Sequence, residues 1–522
     1  MTQWAKPVLD REQLVLFPKR LDEAIAPEHP VRLLEDILSR LDWSDWEAKY
    51  HVNRGQPAIP PRVLAGVILY GLLTRIRSSR ALEEALRVRL DFRWLAEGRT
   101  IDPTTLSEFR RQHPQELKDL FVKIGLLARE MGWLSLDLLA YEGTRMRANN
   151  NRRKTRTPDE LREMREELAA KYAECEAKIP SQEDWDEEVL SSPLPEELAD
   201  VKRRRAQVDR ALEELRRLED AGETTPSRIP LTDPSSRVTP NKTGGFAPNY
   251  TPLLTVDVPS GLIVQADVIA MTDEDKHLVG VLEEVQQSFG LEAPPGEVLS
   301  DGMMATGENL SDLAERHVTL YSPIPTKDPA QNPALRDDPT QPVPESDWER
   351  LPTKTVTNRT TKHQPQQLDK SAFVYEESKD CYDCPQGQAL PHVHTTSETK
   401  SSGHRIYVKR YQADAKACAA CPLKAMCLSG QSKFRQINRD QHETRRTEQA
   451  KRMATPLAQE KYKLRRHAAE FPFAVIKQHL GVRQFLLRGL AHVKTEWLWL
   501  ASAFNLTRLF RLMKSGADPP AA

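Results

Sequence analysis

The chain has 522 residues, of which 29% are charged, and its 75 basic and 76 acidic side chains almost cancel. That length exceeds what one hydrophobic core organises and calls for several domains or one domain with large insertions. The neutral balance excludes a generally polycationic nucleic-acid binder, so any such surface must come from local segregation of charge.

In chain order, residues 30 to 130 alternate apolar and polar positions with helical period, as in VRLLEDILSRL and SRALEEALRVRLDFRWL, punctuated by Pro57, Pro60, Pro61 and Pro103. Residues 1–130 are therefore read as a helical N-terminal domain. The longest apolar run, Val63 to Leu73, is too short to span a bilayer, and MTQWAKPVLD has no hydrophobic signal core, which predicts a cytoplasmic protein. In DPTTLSEFRRQHP, Thr104 or Thr105 is a candidate N-cap for a helix carrying Arg110 and Arg111, either a DNA contact or a solvated face.

The strand LSLDLLAYEG ends on Glu142, followed at once by Gly143, Thr144, Arg145 and Arg147. Residues 152–230 read as a helical hairpin, opened by the capping box of Thr157 and Glu160, with Cys175 as a packing residue. YTPLLTVDV and LIVQADVIA then form an antiparallel hairpin around VPSG. A helix through HLVGVLEEVQQSF follows, and the strand EVLS stops at Asp301. TGENLSDLAER and VTLYSPIP add a helix and a strand, so 131–151 and 231–322 alternate elements as layered α/β folds do.

Residues 323 to 352 contain eight prolines, which predicts a linker over 323–360 too poor in apolar area to order itself. Residues 361–440 hold five of the six cysteines: Cys381-x2-Cys384, Cys418-x2-Cys421, and Cys427. Paired knuckles of that spacing match a tetrahedral Zn²⁺ site built from Cys381, Cys384, Cys418 and Cys421. Cys427, His392, His394 and His404 are alternative ligands, and a set of packed reduced thiols is the alternative to a metal. Residues 441–515 return to helix.

Three carboxylates stand out: Glu142 and Asp301 at strand ends, and Glu470 on a helix face shared with Arg466, Phe473 and Lys477. Each has an ordinary alternative, a turn residue for the first two and a surface ion pair with Arg466 for the third. Brought together, three such oxygen donors suit a pair of Mg²⁺ or Mn²⁺ ions, which activate water or a 3′-hydroxyl in phosphoryl transfer.

Longer stretches add a resemblance. GQPAIPPRVLAGVILYGLL, SSRALEEAL and IDPTTLSEFRR, then YEGTRMRANN, SDGMMATGENL and YKLRRHAAEFPFAVIKQHLGVRQFLLRGLAHVKTEWLWLASAFNL resemble, nearly end to end, a family of DDE-type transposases of bacterial insertion sequences. Tyr462, Arg465, Arg466, Glu470, Phe473, Lys477 and Asn505 stand at matching positions. The resemblance implies a ribonuclease-H-like core (131–151, 231–322, 441–515) behind a DNA-binding helical domain, with the cysteine module as an insertion before the last acid.

It also implies metal ligation by Glu142, Asp301 and Glu470, and phosphate contacts from Arg145, Arg147, Arg465, Arg466 and Lys477. The partner would be double-stranded DNA, engaged by at least a homodimer. The family has aspartate where this chain has Glu142; Met303, Met304 and PNYTPLLTVD depart from its pattern as well. An inactive descendant that only binds DNA and a nuclease without strand transfer are the alternative functions.

Charge segregates in two stretches. Arg75 to Arg93 holds six arginines against three acids, and Lys433 to Arg466 holds 11 basic residues against four acidic ones. Affinity for duplex DNA is therefore expected to fall by more than about tenfold between roughly 50 and 200 mM salt as counterions are released. A fluorescence-anisotropy titration checks this; a binding constant indifferent to salt contradicts it.

Overall fold

The apolar run Val63–Leu73 folds as most of the helix Pro61–Leu73 in this computed structural model, buried without a break from Val63 to Leu72, as a helix that is hydrophobic all round must be. Helices Pro30–Ser39, Ser79–Val88, Pro103–Gln112 and Pro114–Glu130 stand around it in the sequence as expected. The cap of Pro103–Gln112 is Asp102, not Thr104 or Thr105: its carboxylate accepts from both their backbone amides. The correction follows from Pro103, which at the first helical position makes the residue before it the cap.

The structure describes residues 20–50, 57–151, 153–177, 194–241, 244–324, 332–355, 366–399, 405–429 and 432–515. They divide into two units, Met1–Leu299 with Lys463–Ala522, and Ser300–Tyr462. Among the described residues no helix is long and apolar enough to cross a membrane.

The first unit contains a mixed sheet whose central strand is long. Strands β1 (Leu138–Gly143), β2 (Met146–Arg147), β3 (Thr155–Arg156), β4 (Ile229–Pro230), β5 (Arg237–Pro240), β6 (Phe246–Asp257), β7 (Ile263–Ile269) and β8 (Glu297–Leu299) follow in chain order. β6 is antiparallel to β1, with Glu142 opposite Leu254, and to β7, with Leu254 opposite Ala266; its first half pairs β2 and β5. β8 joins β1 in parallel from Leu138↔Glu297 to Ala140↔Leu299. Parallel neighbours carry their C-terminal ends to one edge, the edge where open α/β sheets place ligands. This mixed α/β arrangement fits a ribonuclease-H-like core.

Between β3 and β4 the helices Pro158–Ala177 and Leu194–Asp220 pack on each other through Leu161, Val208, Ala211 and Leu215. The capping box forms as expected: Thr157 N donates to Glu160 Oε2 at 3.0 Å and Glu160 N to Thr157 Oγ1 at 3.2 Å. Cys175 is buried in the first of these helices.

The second unit corrects the linker expectation. Prolines do separate its elements, yet Ala334, Val343 and Leu351 are core residues, packed with Leu368, Tyr382 and Tyr411. The proline-rich chain over 332–355 is held by Val343 N to the Pro385 carbonyl at 2.7 Å and by Trp348 Nε1 to the Val343 carbonyl at 3.0 Å. Low local apolar content did not matter, because the core is completed by an antiparallel sheet from elsewhere in the unit. That sheet runs Val374–Glu376, Cys381–Asp383, Ala389–Thr399, Arg405–Gln412 and Gln436–Asp440. The remaining linker positions 325–331 and 356–360 lie outside the described residues.

The helix Leu490–Ser515 organises the first unit, packing against β7 and against Pro61–Leu73, Pro103–Gln112 and Pro114–Glu130. Asn505, fully buried, accepts from Ile263 N at 2.8 Å and donates to the Ile263 carbonyl at 2.7 Å. Truncating it orphans a buried donor and a buried acceptor, each costing roughly 1–3 kcal/mol. Asn505→Ala is expected to destabilise the protein by about 2–4 kcal/mol in urea unfolding; a loss below about 0.5 kcal/mol, the range of ordinary surface changes, contradicts this role.

Candidate active site

Glu142 sits near the C-terminal end of β1, between the buried Tyr141 and Gly143. The Tyr141 hydroxyl donates to the Glu274 carbonyl at 2.9 Å, and the Glu274 carboxylate lies directly against Gly143, where a β-carbon would collide with it. A β-carbon at position 143 would push that flexible carboxylate aside. Glu274 had no distinguishing sequence signal; only the fold brings it to the strand end.

Glu470 reaches the same place from the helix Pro456–Ala474. Both acids meet one guanidinium: Arg465 Nη2 lies 2.8 Å from Glu142 Oε2 and Arg465 Nη1 lies 3.7 Å from Glu470 Oε1. The pair with Glu142 is largely enclosed, with side chains 14% and 15% exposed, whereas Glu470 is 56% exposed. The alternative for Glu470, a surface pair with Arg466, gives way to Arg465, and Arg466 is exposed. After Pro472 the helix widens into a π-turn over Val475–His479. From this turn Lys477 Nζ donates to the buried Thr144 Oγ1 at 2.6 Å while lying 5.8 Å from the Phe473 ring centre.

The segment after Glu142 is clamped to the residues after the π-turn. Phe485 N donates to the Arg147 carbonyl at 3.0 Å, Gln484 Nε2 to the Ala148 carbonyl at 3.0 Å, and Arg488 Nε to the Asn149 carbonyl at 3.1 Å. Buried Asp233 ties this seam to β6, accepting from Gly489 N at 3.0 Å and from the Tyr250 hydroxyl at 2.8 Å. Burial raises the pKa of the Asp233 carboxyl and pushes the Tyr250 phenol up strongly. Two motifs far apart in sequence, RMRANN and RQFLLRG, therefore form one packed element.

Asp301 belongs to the second unit, two residues beyond the end of β8. It caps the short turn Gly302–Met304, its carboxylate accepting from Met303 N at 2.9 Å, and its carbonyl accepts from the Ser322 hydroxyl. Met304 is buried and Met303 is exposed.

Of the candidate DNA contacts, Arg111 and Arg147 are exposed. Arg145 is half-buried and donates to the Pro240 carbonyl at 3.1 Å. Arg110 is a correction: its guanidinium turns inward to the Arg77 carbonyl, and burial lowers its pKa to about 10, so it braces the helix and does not reach a phosphate. Within Arg75 to Arg93, Arg77 pairs with Glu496 at 2.8 Å and Arg89 with Asp91 at 2.5 Å, while Arg75, Arg80, Arg87 and Arg93 are exposed.

The cysteine expectation also changes. Cys381 is buried within the strand Cys381–Asp383, and Cys384 lies just beyond its end, where the chain turns. Cys384, Cys418, Cys421 and Cys427 instead line a single cavity of about 250 Å³, without Cys381. His392 bonds Thr395 Oγ1 at 3.0 Å on an exposed strand that also carries His394, and His404 lies outside the described residues. As the side chains stand, no three His, Cys, Asp or Glu among the described residues are gathered closely enough to hold a metal ion.

Comparison with known families gives two matches. Residues 383–510 match the family model of the transposase DDE domain, and residues 19–112 match a second transposase domain, DUF772. The comparison with curated proteins returned no match. The first match spans Glu470, the π-turn and most of the final helix, and the second covers Pro61–Leu73 and Pro103–Gln112, two of the helices packed on it. Two transposase-domain matches in one polypeptide support a DDE-type transposase of an insertion sequence.

Proposed function

We propose that the protein cleaves DNA at the ends of an insertion sequence and joins the freed 3′ ends to target DNA, with Glu142, Asp301 and Glu470 as ligands for two Mg²⁺ or Mn²⁺ ions. The observation that carries this reading is the sharing of one cation, the Arg465 guanidinium, by Glu142 and Glu470. Two carboxylates that converge on a guanidinium are the hard oxygen donors such ions prefer, and DDE transposases generally use divalent metal ions. Bound there, the ions would supply activation of water or a 3′-hydroxyl and charge neutralisation at the leaving oxygen.

The remaining chemistry falls to this chain's own cations. Arg111, Arg145, Arg147, Arg466 and Lys477 would neutralise phosphates and set the register of the DNA without reading its sequence. Lys477, steered by Thr144, would hold its ammonium beside the strand end that carries Glu142. Acting on two element ends calls for at least a homodimer on DNA.

Glu142 decides between this reading and an inactive descendant. The longer acid reaches Arg465 at 2.8 Å; an aspartate, shorter by about one carbon–carbon bond of roughly 1.5 Å, draws back from it. With DNA that carries the element ends and either metal, Asp301→Ala and Glu470→Ala are expected to abolish nicking while leaving DNA binding intact. Glu142→Asp should slow it by about ten- to a hundredfold, the scale for a misplaced catalytic group. Faster nicking by Glu142→Asp would mean that the glutamate compromises the site; no nicking by the parent or by Glu142→Asp would establish the DNA-binding descendant instead.

A further inference from the structure

The second unit contains a constellation that the transposase reading leaves unused. Cys384 opens the turn Cys384-Pro385-Gln386-Gly387-Gln388, and its sulfur accepts from Gln386 N and Gln388 N, both at 3.4 Å. The turn is closed by Cys384 N to the Gln388 carbonyl at 3.0 Å and Gly387 N to the Cys384 carbonyl at 2.9 Å. Gly387 has φ +72°, and a β-carbon there would strike the Thr340 carbonyl, so only glycine closes this turn. Cys421 likewise stands directly before a proline, Pro422. Cys418 comes from the helix Ala415–Ala419 and Cys427 from the end of Lys424–Cys427.

The arrangement brings four of the chain's six cysteines to one place. The four cysteines line one cavity of about 250 Å³, ample for an ion and its ligand shell. Positive charge stands behind two of the residues: Arg336 Nη2 donates to the Cys384 carbonyl at 3.1 Å and Arg435 Nη1 to the Cys427 carbonyl at 2.9 Å. Four thiolates on a divalent cation carry a net charge of about −2, which such outer-shell donors offset. The sulfurs are not within ligating distance of a common point, but a change between staggered χ1 wells swings a cysteine sulfur by roughly 3 Å.

We propose that Cys384, Cys418, Cys421 and Cys427 close on one Zn²⁺ as a structural tetrathiolate site that ties the turn after the strand Cys381–Asp383 to the segment between Arg405–Gln412 and Gln436–Asp440, and that Cys381 is not a ligand. Soft sulfur donors in tetrahedral number select zinc over the hard ions assigned to the carboxylates. The proposal stands independently of the reaction on DNA.

The test uses the full chain, purified reduced and without chelator. Metal analysis should find about one zinc per chain in the parent and in Cys381→Ser, and near none in Cys384→Ser and Cys427→Ser. Titrating the metal-stripped parent with Co²⁺ requires no variant and should produce sulfur-to-cobalt charge-transfer bands and tetrahedral ligand-field bands that saturate at one equivalent. Absence of zinc together with absence of the cobalt signature overturns the site. Loss of metal in Cys381→Ser with retention in Cys427→Ser overturns the ligand set, and a coloured, iron-containing protein overturns the choice of metal.

Discussion

The first unit depends on how the helix Leu490–Ser515 is locked to the sheet. Asn505 inserts its amide into the backbone of β7 as if it were another strand residue, giving and taking one bond with Ile263, and Trp497 Nε1 donates to the Leu253 carbonyl of β6 at 3.1 Å. A buried amide must satisfy both its oxygen and its nitrogen, so the helix has one rotation and one height at which it fits. The same helix also receives the N-terminal helices. Its seating therefore determines where the preceding residues, from Glu470 through Lys477 to Arg488, can lie.

From that constraint the strand-end site follows. The clamp between Arg147–Asn149 and Gln484–Arg488 fixes the chain just after Glu142, and Lys477 reaches Thr144 only because the π-turn redirects the helix after Pro472. An ion pair enclosed to this degree is weak grounds for stability, since desolvation offsets most of the attraction. Its value is positional: two carboxylates that would repel are held near one point by a shared cation. Glu274, pressed against Gly143, adds negative charge to the same strand end.

The second unit is built differently. Its core joins aromatic residues of a meander to apolar residues of a proline-rich chain, with Asp380 accepting from the Tyr375 hydroxyl at 2.8 Å and from the Tyr411 hydroxyl at 2.6 Å. These donors hold the Asp380 carboxyl far below the usual carboxylate range. Prolines fit there because a chain that runs over a sheet without joining its ladder needs few amide donors.

The sequence by itself determined the elements with strong local signals: the buried helix after Pro60, the Thr157–Glu160 capping box, the strand ending at Glu142, the hairpin of β6 and β7, and the family whose motifs these stretches carry. Local signals sufficed because periodicity, caps and turns involve residues a few positions apart. Tertiary structure alone decided which partner each long side chain took. It set Arg465 in place of Arg466 beside Glu470, turned Arg110 inward, brought Glu274 to Gly143, and replaced Cys381 by Cys427 in the thiol group. It also made core residues of Ala334, Val343 and Leu351. Each of these outcomes depends on a neighbour that is distant in the chain, and for flexible side chains the spacing of residues along one element leaves direction and depth open until that neighbour is packed.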